Sequence, residues 1–66
     1  MSENYYEHWY ATAKMLPPNG VIVETMVYDH NGARNFADLR REGKYWFVDD
    51  SNTYVYYNPT HWRYIY

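Results

Sequence analysis

Cysteine is absent from this chain, so neither a disulfide nor a thiolate metal site can supplement its core, which argues for a cytoplasmic protein over a disulfide-stapled secreted scaffold. Leucine and isoleucine occur only twice each, so the usual aliphatic core formers are nearly missing. A basic surplus is lacking too: six Lys and Arg stand against eight Asp and Glu, for a net charge of −2, which speaks against a nucleic-acid-binding surface. The three glycines are scattered and make no phosphate-cradling loop. No apolar run reaches the roughly 18 residues of a membrane span, and no basic stretch leads into an apolar one as in a signal peptide.

Aromatic rings are what the chain has instead. Ten Tyr, three Trp and two Phe make 23% of the residues, and they carry much of a hydrophobic fraction of 47%. With 66 residues the chain is expected to be a single domain, 1–66, in which residues 1–8 fray. At this size hydrophobic burial and chain ordering nearly cancel, so self-association into a homodimer competes with a free monomer.

Turn signals divide the chain at short intervals. Ala11 to Leu16 can form one helical turn before Pro17 and Pro18 stop it. Pro17-Pro18-Asn19-Gly20 reads as a turn, and Val21 to Tyr28, rich in Val and Ile, as a central strand. Asp29-His30-Asn31-Gly32 predicts a hairpin with Asn31-Gly32 as a type I′ pair. The return strand, Ala33 to Arg40, places Phe36 and Leu39 on opposite faces, which implies a bulge or a short helical turn near Ala37. Glu42-Gly43 turns into a strand over Lys44 to Val48; the polar turn Asp49 to Asn52 leads to another over Thr53 to Tyr57; and His61 to Tyr66 is extended. The predicted fold is all-β: a small antiparallel meander or SH3-like barrel of four to five strands, with an irregular or short helical N-terminal segment.

Catalytic constellations do not emerge. His8, His30 and His61 lie in separate segments without metal-ligand spacing, and Asp49-Asp50 is a carboxylate pair in a turn. Ser2 and Ser51 have no nucleophile-elbow context. No enzyme, cofactor or metal is expected.

Alternation in the strands forces some rings outward. Tyr54 and Tyr56 share one face against Val55 and Tyr57, and Tyr45 and Phe47 oppose Trp46 and Val48, so tyrosine is exposed whichever face is core. Such rings can act as cross-strand props of a sheet poor in aliphatics. They can equally form a contact surface, because Tyr and Trp supply large rigid area at low entropic cost. The candidate partner-binding residues are Tyr54, Tyr56, Tyr57, Tyr64 and Tyr66, with Asp49 and Asp50 on the rim. A single-stranded nucleic acid stacked on the same rings is the alternative, with Arg40, Arg41 and Lys44 as its basic cluster.

Trp9, Leu16-Pro17-Pro18-Asn19-Gly20, Val21-Ile22-Val23, Glu42-Gly43-Lys44-Tyr45-Trp46-Phe47 and Pro59-Thr60-His61-Trp62 occur in an order that resembles a phage and prophage family, domain of unknown function five hundred and fifty-one. The resemblance spans Trp9 to Trp62 and departs at Arg63-Tyr64-Ile65-Tyr66, where the family continues Met-Pro-Leu-Pro. It implies phage origin and a compact β fold, and carries no activity. Thr60-His61-Trp62 is the segment to watch: Trp62 is expected in the core beside Trp46 and Trp9, with Thr60 and His61 bonding backbone at the strand start. Taken together, these features point to a small cytoplasmic phage-type protein that occludes a host protein surface, such as a defence or replication factor, by stoichiometric binding.

Overall fold

In the computed structural model, which describes residues 9–65, five strands form in chain order: β1 (Tyr10–Ala11), β2 (Ile22–Asp29), β3 (Gly32–Glu42), β4 (Tyr45–Val48) and β5 (His61–Arg63). They make one antiparallel sheet in the order β1-β5-β2-β3-β4. β2 to β4 are a meander, as the turn spacing predicts; the last strand then returns to the other side of β2 and receives β1 at its outer edge. No helix occurs among the described residues, and the expected helical turn after β1 is a single one, closed by the Lys14 and Met15 amides on the Ala11 carbonyl. The expected fraying of residues 1–8 lies outside the described residues.

The pleat decides which side chains meet. Cross-strand partners share a face, so Val23 with Leu39, Thr25 with Trp62, and Arg41 with Trp46 all point to one side. There Val23, Leu39, Trp46 and Trp62 form the core, with Ala37, Val55 and Tyr64 packed against it. Trp62 is fully buried, and its indole N–H donates to the Met15 carbonyl at 2.8 Å, which ties the irregular segment 12–18 over the sheet. The one buried hydroxyl of this face, on Thr25, donates to the Ala37 carbonyl at 2.8 Å, so no polar group is stranded there. Trp9 does not join this cluster, contrary to expectation; one residue before Tyr10, it lies on the opposite face, edge-on to Phe36 at 6.2 Å with the Arg63 guanidinium 4.4 Å above it.

One turn and one strand differ from the pattern read in the sequence, while the expected bulge is present. The β2–β3 hairpin turns on His30-Asn31 rather than Asn31-Gly32, and the positive φ falls on Gly32, at 96°, one residue later. The cause is Asp29, whose Oδ1 accepts the Asn31 amide at 2.9 Å, a side-chain-closed turn that begins one residue earlier than a type I′ pair. The expected bulge exists at Asn35-Phe36, two residues opposite Met26, with Asn35 in the left-handed region at φ 59°. Beyond it the regular pleat keeps Phe36 on the face of Trp9 and Leu39 in the core. Thr53 to Tyr57 is not a strand: only Tyr54 bridges β4, at Phe47.

Candidate functional site

Alternation along β4 sends Trp46 into the core, 5% exposed, and turns Tyr45 outward, 46% exposed, with Phe47 beside it on the same face. The segment after β4 runs back along its free edge. Val48 N–H donates to the Thr53 carbonyl at 2.7 Å and Val55 N–H to the Trp46 carbonyl at 2.9 Å. These two bonds set the local pleat, so Val55 packs on the core while Tyr54 lies against the outward rings. Tyr54 is 5.1 Å from Tyr45 and 5.8 Å from Phe47 between ring centroids, and Tyr56 stands edge-on to Tyr54 at 5.3 Å. Tyr45 and Phe47 complete the set at 6.4 Å. The result is a connected face of four rings ending in Tyr56, which is 93% exposed.

Cations frame this face. The Arg40 guanidinium sits 4.9 Å from the Phe47 ring and the Lys44 ammonium 5.9 Å from that of Tyr45, each attraction worth about 0.5–1 kcal/mol at an exposed site. Around the edge of β4 lies an open cleft of about 230 Å³, with Lys44, Trp46, Tyr57 and Asn58 in its lining. Tyr57 is half-buried, and that burial raises its phenol above the ordinary value of 10.0, since the charged phenolate is the form that desolvation disfavours.

Of the residues singled out in the sequence, Tyr54 and Tyr56 come together in this face and Tyr57 lines the cleft beside it. Tyr64 does not join them: it is half-buried against Trp62, 5.1 Å away, and Tyr10, 6.5 Å away, on the core side. Tyr66 lies outside the described residues. Asp49 and Asp50 are exposed in the turn that follows β4, where Asp49 adopts φ 49° and its amide donates to the Asp38 carbonyl. The basic trio divides. Arg40 points to the aromatic face, pairs with Glu42 at 2.8 Å and donates from Nη1 to the Asp49 and Ser51 carbonyls at 2.7 and 3.1 Å, so it holds the turn in place. Arg41, one residue on, points to the other face. Tyr45 and Phe47 are the ring residues missed as site candidates; assigning Trp46 inward by its size would have found them.

The histidines stay apart, His30 at the hairpin tip and His61 in β5, and among the described residues no three metal-ligating side chains converge. The Thr60 hydroxyl accepts the Tyr28 amide at 2.8 Å, as expected for that segment, and lies 2.8 Å from His61 Nδ1. His61 thus bonds its neighbour's side chain, a departure from the backbone bond expected. Burial pushes its imidazole below the ordinary 6.5.

Comparison with protein-family models, curated proteins and solved structures gives no match, so the likeness to the phage family rests on its short motifs alone. No helix among the described residues is long and apolar enough to cross a membrane.

Proposed function

We propose that this chain acts by stoichiometric binding to another protein, covering part of its surface with Tyr45, Phe47, Tyr54 and Tyr56, and that a host factor blocked in this way is its target. One observation carries the reading: the four rings are connected to one another yet contribute little to the core, and the outermost is 93% exposed. Rings that only propped the sheet would lie flat on it, whereas Tyr56 projects beyond the last backbone bond to β4, which Val55 N–H makes to the Trp46 carbonyl. Tyrosine suits such a surface because its apolar body excludes water while its hydroxyl finds a partner. The eight carboxylates argue against a polyanionic strand on the same rings.

The test is affinity capture from a bacterial lysate by wild type and by Tyr54→Ser/Tyr56→Ser, followed by titration of the captured protein with purified chain. A single partner bound one to one, and lost by the variant while its unfolding midpoint stays put, is the expected result. Identical captures by both proteins, a mass of two chains with no other ligand, or retention on single-stranded DNA that weakens steeply with salt would each overturn the reading.

A further inference from the structure

The cations of this chain are sorted by position. Arg34, Arg40 and Arg63 each pair with a carboxylate, on Asp29, Glu42 and Glu24, at 2.8 to 2.9 Å. Lys14, Arg41 and Lys44 have no carboxylate partner among the described residues. Arg41 and Lys44 line a second open cleft, of about 280 Å³, together with Leu16, Trp46, Asn58 and Pro59. Lys44, Trp46 and Asn58 line both clefts, so the two adjoin at the start of β4, and the second one is the groove considered below.

No carboxylate lines either cleft among the described residues. Glu42, next to Arg41 in the chain, is occupied by Arg40 and by the Asn19 amide at 3.1 Å. Asp49 and Asp50 stand at the far end of β4, about 17 Å from Lys44 at some 3.3 Å per strand residue. The groove therefore combines two uncompensated cations, an apolar wall at Leu16, Pro59 and Trp46, and a carboxamide on Asn58 that has no hydrogen-bond partner among the described residues. A carboxamide both donates and accepts, which matches a peptide bond.

We propose that this groove binds an acidic, extended segment of a partner protein: Arg41 and Lys44 hold its carboxylates, Asn58 reads its backbone, and Leu16 and Pro59 receive an apolar side chain. The inference rests on the protein-binding reading above and gives that partner a chemistry. A nucleic acid fits less well, because its charge repeats beyond the groove and would meet the Asp49-Asp50 end, while a peptide of a few residues stays within it.

The probes are acetyl-Glu-Glu-Leu-Glu-Glu-amide and its Gln-for-Glu counterpart, titrated by NMR into the ¹⁵N-labelled full chain. The acidic peptide should bind about tenfold more tightly, the advantage of two charge pairs at the rim of a cleft, with shifts at Arg41, Lys44 and Asn58. Arg41→Gln/Lys44→Gln should erase that advantage while its unfolding midpoint and its affinity for the Gln peptide stay as in wild type. Equal binding of the two peptides overturns the proposal, as does an advantage that survives in the double variant. Tighter binding of oligo-dT, or concentration-dependent shifts of the same amides with no peptide present, overturns it in favour of a nucleic acid or a second copy of the chain. If the acidic preference holds while Tyr54→Ser/Tyr56→Ser captures what wild type captures, the groove stands and the aromatic-face reading falls. If the preference is absent while that variant loses its partner, the groove falls and the aromatic face stands.

Discussion

The two faces of the sheet use the same kind of side chain for opposite ends. On one, Trp46 and Trp62 interlock with Val23 and Leu39 and are shut away from water; on the other, Tyr45, Tyr54 and Tyr56 touch each other and stay exposed, with Phe47 half-buried among them. All three tryptophans are buried, whereas five of the seven described tyrosines are exposed and none is buried. A chain with two leucines must fill a core with few residues, and indole has the volume to do it. Tyrosine is left for the surface, where a hydroxyl tolerates water. Aromatic content alone therefore says nothing about stickiness; the division between indole and phenol does.

That division predicts a large asymmetry between matched truncations. Trp62→Ala removes a fully buried ring and the indole bond to Met15, and should cost about 3–5 kcal/mol, enough to unfold a domain this small. Tyr56→Ser removes a ring of similar bulk and should cost under about 1 kcal/mol, the worth of one edge-on pair, while abolishing partner capture. Urea midpoints and capture yields measured on both variants separate the faces. Comparable losses of stability in the two would show that the tyrosine face holds the fold together and is no free surface.

A second pair sharpens the comparison within two adjacent residues. Arg40 donates to three oxygens across the aromatic face, and Arg40→Ala should lower stability by about 1–3 kcal/mol because the carbonyls of Asp49 and Ser51 lose their donor. Arg41, facing the groove with no carboxylate partner, should tolerate the same change within about 0.5 kcal/mol. Thermal unfolding of the two alanine variants decides it. Equal losses would mean that Arg41 is also built into the fold and is not available to a ligand.

Arg40 and Arg41 also show where sequence reasoning stops. Their adjacency reads as a cluster, but a pleat sends neighbours to opposite faces, and only the register Arg41 opposite Trp46 tells which is which. The elements themselves were legible: β2, the bulge after the hairpin, the Pro-Asn-Gly turn, and β4 with its alternating pairs all follow from local chemistry. The Pro18 carbonyl does accept the Val21 amide, at 3.3 Å, with Gly20 at φ 85° between them, as a Gly in that turn requires. What local chemistry did not reach was the competition between turns. Asp29 captured the Asn31 amide and moved the hairpin one residue, and the Asp49 to Asn52 turn let only Tyr54 pair with β4. The aromatic face was half legible, since alternation promised an outward tyrosine, from Tyr54 and Tyr56 or from Tyr57, without choosing between them. Its joining to Tyr45 and Phe47 depends on the 53–55 segment doubling back, a tertiary fact.

The smallest expected effect probes the tyrosine-bearing face at its other end, where His61 shares the side of Met26 and lies edge-on to Tyr28 at 6.1 Å. Desolvation holds its imidazole below 6.5, because the charged ring is the form that burial disfavours. The unfolded chain thus takes up a proton at His61 at higher pH than the folded one. The contribution of a neutral His61 is fully present above about pH 6.5, declines as pH falls below that value, and levels off once the folded ring is protonated too. The loss is separate from any acid effect at exposed Asp29, whose carboxyl the Arg34 side chain and the Asn31 amide hold below 3.8. Urea midpoints between pH 7 and 5 should therefore slope downward for wild type and flatten in His61→Gln, by a modest amount for a half-buried ring. Parallel slopes in the two proteins would mean that water reaches His61 as freely as it reaches Tyr56. The contrast between a half-closed His61 and an open, partner-ready Tyr56 would then vanish.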